Sequence, residues 1–66
     1  MREVLERAVF TVLRDGTAWA VEHDGGFFGH SSDKEVAKAY AHKRAREIVD
    51  RGGGAQVRVH GEDALR

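Results

Sequence analysis

The feature that most constrains this chain is a change of hydrophobic period. Residues 32–51 repeat at the helical interval, and the segments on either side alternate at the interval of a strand. Ser32-Asp33-Lys34-Glu35 matches a capping box, in which the first side chain accepts from the third backbone N–H and the glutamate reaches back to the cap. Asp33 adds negative charge where the helix dipole favours it. Val36, Ala37, Tyr40, Ala41, Ala45, Ile48 and Val49 then recur as one apolar face. Arg51 closes the last turn, and Gly52-Gly53-Gly54 supplies the stop. The expectation is one amphipathic helix from Ser32 to Arg51.

Downstream, Ala55 to Gly61 alternates strictly, with Val57 and Val59 on one face and Gln56, Arg58 and His60 on the other. Upstream, Val9-Phe10-Thr11-Val12-Leu13 is β-branched and aromatic and ends at Asp15-Gly16. Trp19 to His23 alternates and ends at Asp24-Gly25-Gly26, so Arg14 to Ala18 is expected to form a hairpin turn. Phe27 and Phe28 open a short third strand before Ser31. Met1 to Ala8 suits a helical lead-in through Val4, Leu5 and Ala8, or a strand extension through Val4, Ala8, Phe10 and Val12. The helical or frayed lead-in is the preferred reading.

The resulting fold class is α+β, in the order β-β-β-α-β. It is an antiparallel three-stranded meander plus one C-terminal strand, with a single amphipathic helix packed on one sheet face. A right-handed crossover would bring the fourth strand beside the first and parallel to it, giving the sheet order 3-2-1-4. Residues 1–66 form one small domain, with 1–8 as lead-in and 9–63 as core. At 66 residues the domain is marginal, because a chain of this size buries only about 60% of the surface it exposes when unfolded. It has no cysteine to form a disulfide. A second copy is therefore expected to supplement the core. A formal net charge of zero removes long-range repulsion between copies.

Three features in order extend this reading: Trp19-Ala20-Val21, the capped helix start Ser32-x-x-Glu35, and the terminal Val59-His60-Gly61. From Phe10 to Asp63 the chain resembles the short bacterial proteins of domain-of-unknown-function family 2188. The usual pattern there is W-x-V, then T-K-x-E-A opening a helix, then a strand ending V/I-H-G before a D-G turn. Ser32, Asp33 and Val36 replace the usual Thr, Lys and Ala, and Ala64 follows Asp63 where the turn glycine would stand. The resemblance implies the fold and supplies no catalytic residue. Strand order alone is also similar to that of small antitoxin domains with a partial ribonuclease-H-like fold.

The chemistry-bearing residues point away from catalysis. His23, His30, His42 and His60 match no zinc spacing. Asp15, Glu22, Asp24 and Glu62-Asp63 fall in turns or outward positions. No G-x-S-x-G, Walker A or H-E-x-x-H motif is present. The chain is expected to be non-enzymatic, to need no metal or cofactor, and to work in the cytoplasm. His60 is a candidate binding residue through the resemblance.

Two surfaces remain. Lys34, Lys38, His42 and Arg46 form a line at four-residue spacing, expected to point away from the buried face, with Lys43, Arg44 and Arg51 nearby. Residues 34–66 hold eight Lys or Arg against five Asp or Glu, and residues 1–33 hold three against six, together the 11 of each sign in the chain. Lys34, Lys38, His42, Lys43 and Arg46 are thus candidates for contact with a nucleic-acid backbone. The competing expectation is a solvated helix stitched by Lys43–Glu47, Arg46–Asp50 and Glu47–Arg51. The second surface is apolar. Phe27 and Phe28 are adjacent on a strand and must point to opposite faces. With Phe10 or Leu13, one of them would form a partner surface for self-association.

Overall fold

The computed structural model describes residues 7–61. The elements are β1 (Arg7–Asp15), β2 (Ala18–His23), β3 (Gly26–Ser31), α1 (Lys34–Asp50) and β4 (Gly54–Val59). They form one sheet in the order β3-β2-β1-β4, antiparallel except where β4 runs parallel to β1. The expected α+β architecture and crossover are what the chain adopts.

Local chemistry explains the connections. Asp15 and Ala18 close the first hairpin around Gly16, whose φ of 68° only glycine tolerates cheaply. His23 and Gly26 close the second around Asp24-Gly25, both left-handed at φ 53° and 85°. Two successive positive φ values give the turn whose twist matches that of the flanking strands. Glu22 stiffens it by accepting from the Gly25 N–H at 2.9 Å.

The helix start lies one residue later than the sequence suggests. Asp33, not Ser32, is the N-cap, and its carboxylate accepts from the Glu35 N–H at 2.9 Å. A charged acceptor satisfies the orphan N–H better than a hydroxyl and also meets the dipole. Glu35 turns instead to Lys38 at 3.4 Å. The glycine stop behaves as expected. Gly53 N–H donates to Ile48 C=O and Gly52 N–H to Val49 C=O, each at 2.9 Å, with Gly52 left-handed at φ 94°.

The lead-in expectation is corrected at its end. Arg7 and Ala8 belong to β1, because β4 offers them parallel partners in Gly54 and Ala55. Residues 1–6 lie outside the described residues. At the other end β4 stops at Val59, short of the expected Gly61. The chain turns at His60-Gly61, where His60 N–H still donates to Val12 C=O.

The core lies between the helix and one sheet face. Phe10, Val12 and Val21 are its largest buried side chains, closed from above by Ala37 and Ala41 and from the end by Ala8. Trp19, Phe28, Ala45, Ile48, Ala55, Val57 and Val59 surround it, partly buried. Alanines let the helix approach closely, so the buried stripe is narrow. Val36, Tyr40 and Val49, expected on that stripe, are 41%, 46% and 53% exposed. At 100° per residue they fall on the two flanks, Val36 and Tyr40 on one and Val49 on the other. Four short strands offer no surface wide enough to cover both.

Candidate functional site

Strand register assigns every residue of the sheet to a face. Val12 pairs with Val21 and Val21 with Phe28, so these look toward the helix. Leu13 pairs with Ala20, and Phe27 with Glu22, on the opposite face, which no described element covers. There Val9, Thr11 and Leu13 are half-buried by their neighbours, and Phe27 is 48% exposed. Asp15 and His30, on the two strands flanking β2, meet at 2.8 Å past its small Ala18 and Ala20. Ala20 is fully buried although it faces away from the helix. The open face therefore has a closed, partly apolar centre rather than a cleft.

Within each expected pair the register puts one residue on the open face and the other toward the helix. Phe10 is 1% exposed. It stacks on His23 at 4.4 Å between ring centroids and meets Phe28 edge-on at 6.4 Å. An even position of β1 looks into the core, so Phe10 cannot reach a partner. Phe28 also faces the helix side, with the Arg44 guanidinium 5.4 Å from its ring. Leu13 and Phe27 remain on the open face.

The basic line is also rearranged. Each step of four residues advances about 40° round a helix. The line therefore begins against the sheet and reaches solvent only at its far end. Lys34 and Lys38 are half-buried, with Lys34 Nζ 5.2 Å from the Trp19 ring, which Arg14 approaches from 5.4 Å. His42, Lys43 and Arg46 are exposed. Glu47 pairs with Arg44 at 3.4 Å, in place of the expected Lys43 and Arg51, and Arg46–Asp50 does not form. The stripe pointing away from the core is thus shorter than its spacing implied.

The histidines stay apart. His23 is held at the core edge by Phe10, with Nδ1 3.1 Å from the Val9 carbonyl and Nε2 3.4 Å from Asp24. His42 is exposed on α1, and His60 is exposed beyond β4. Among the described residues no three His, Asp or Glu side chains converge as metal ligands. Glu22 and Asp24 serve turns, Asp15 serves His30, and Glu62-Asp63 lie outside the described residues.

The structure also forms a groove that residue patterns did not reveal. Between the edge strand β3 and the exposed flank of α1, an open depression of about 530 Å³ is lined by Phe28, Gly29, His30, Tyr40, Lys43, Arg44 and Glu47. Gly29 interrupts the β2–β3 pairing with a bulge and stands at φ 68°. A Cβ there would lie 3.1 Å from the Tyr40 side chain, so the tyrosine packs where only glycine fits. Glycine inside an apolar strand is the one signal in the sequence that could have suggested it. No helix among the described residues is long and apolar enough to cross a membrane. Comparison with protein-family models, with curated proteins and with solved structures finds no match.

Proposed function

We propose that this chain is a small, non-enzymatic protein-interaction module that acts as a homodimer through its open sheet face. The observation that carries the reading is Phe27. It is a large aromatic side chain, 48% exposed, on a face that no described element covers. Leu13 and Val9 extend the apolar character of the same face. A partner sheet packed there would shield both faces of a domain whose own core is thin. The reading takes the cytoplasm as its setting. The resemblance to family 2188 belongs to the same proposal and adds the expectation of a bacterial source.

Analytical ultracentrifugation across a concentration series tests the reading. The expected result is a dimer whose mass falls to that of a monomer in Phe27→Lys and in Leu13→Lys. A wild-type chain that stays monomeric at high micromolar concentration overturns it. A second reading, contact with a nucleic-acid backbone through His42, Lys43 and Arg46, draws on their exposure along one part of α1. Anisotropy titration with a labelled oligonucleotide at low salt, where phosphate contacts are strongest, should then show binding that salt abolishes.

A further inference from the structure

We propose that the groove between β3 and α1 binds an extended peptide. The peptide adds to the free edge of β3 and presents a carboxylate side chain to Lys43 and, two residues away, an apolar side chain to Val36 and Tyr40. The site lies on a different surface from the proposed dimer face and needs no second copy.

Backbone supplies the first argument. Among the described residues β3 ends the sheet and pairs with β2 alone. Up to the bulge at Gly29, an edge strand directs every second N–H and C=O outward, a template for a further strand. In β-augmentation those main-chain bonds provide affinity, and pockets for alternate side chains provide specificity.

Side chains supply the second. Beside the depression of about 530 Å³ lies a smaller one of about 160 Å³, lined by Val36, Ala39, Tyr40 and Lys43, and Tyr40 and Lys43 line both. Val36 and Tyr40 are the apolar residues that the narrow buried stripe leaves outside, 41% and 46% exposed. From Ala39-Tyr40 to Lys43-Arg44 is four residues, a rise of roughly 6 Å along the helix. Side chains on one face of a strand recur every two residues, roughly 6.6 Å apart. The axial spacing of the two depressions therefore matches the spacing of alternate side chains on a strand.

Charge supplies the third. Arg44 is held by Glu47 at 3.4 Å and lies over Phe28, so the larger depression has an arginine already oriented. Lys43 has no ion pair among the described residues and lines both depressions. A carboxylate entering there completes a charge pair at the rim. The apolar half of the groove offers a polyphosphate backbone nothing.

The test is selection from a random dodecapeptide phage library on the intact protein, followed by anisotropy and amide chemical-shift mapping with the selected peptides. Enriched sequences should carry Asp or Glu two positions from an aromatic or branched apolar residue, and should shift the amides of β3 and of residues 36–44. Lys43→Glu should weaken binding by about tenfold or more, Lys43→Arg should retain it, and Val36→Lys should weaken it without lowering the melting temperature. The proposal is overturned if no peptide is enriched, if selected peptides bind the Lys43→Glu variant undiminished, or if the shifted amides lie away from β3. It is equally overturned if only an oligonucleotide moves those amides, or if the amides of residues 36–44 move with protein concentration alone, the sign of a second copy in the groove. Lys43→Glu should leave the dimer mass unchanged and Leu13→Lys, on β1, should leave peptide affinity unchanged, so either proposal can fail without the other.

Discussion

The two faces of this sheet are made from the same strands and behave as different materials. Toward the helix, Phe10, Val12 and Val21 are almost wholly removed from water, and the alanines of α1 close over them. Away from it, Val9, Leu13 and Phe27 alternate with Arg7, Thr11, Glu22 and Arg58, and even the best-shielded large residues stay half-buried. One face holds the fold together, and the other is available for contact. Among the described residues the distinction follows from the count of covering elements: a single helix can cover only one side.

The largest effect that separates the faces is expected at Phe10. Phe10→Ala removes a ring at 1% exposure that both His23 and Phe28 touch. Urea denaturation should show a loss of about 3–5 kcal/mol, much of what a domain this size possesses. A loss below about 1 kcal/mol would mean that the covered face is not the source of stability.

Gly29→Ala comes next. Both the left-handed backbone and the 3.1 Å approach to Tyr40 oppose a methyl group. The expected cost is about 1–3 kcal/mol. Combining it with Tyr40→Ala should recover the packing part and leave the backbone part, which a double-mutant cycle by chemical denaturation separates.

A smaller effect tests the helix start. Asp33→Ala should cost about 1 kcal/mol in thermal or urea melts, and Ser32→Ala less than about 0.5 kcal/mol. Equal costs would return the cap to Ser32. The smallest change in stability is expected at Phe27→Lys on the open face, within about 0.5 kcal/mol under conditions where the chain is monomeric, since lysine can pair with the cross-strand Glu22. If it destabilised the monomer as Phe10→Ala does, the two faces would not differ as described.

The sequence announced its elements well, because the signals that specify them are local. The Asp24-Gly25 turn, the alternation of β4 and the triple-glycine stop each act within a few residues. Even the one-residue error at the cap was a competition between neighbouring side chains for the same N–H groups. The strand at Arg7-Ala8 was harder to see, since its partners Gly54 and Ala55 lie more than forty residues away. The candidate site was less visible still. That one of Phe27 and Phe28 would face away from the helix was legible, but that it is Phe27, joined by Leu13 and not Phe10, depends on which strands pair and in what register.

What the chain's order of residues settled was therefore the number, kind and sequence of elements, since period, cap and turn chemistry need no distant partner. What waited for the third dimension was the use made of each side chain. The width of a four-stranded sheet left Val36 and Tyr40 outside the core, helical rotation brought Lys34 against Trp19, and the bulge at Gly29 let Tyr40 wall a groove. Each of these depends on how far one element overhangs another, a quantity that exists only once they are packed.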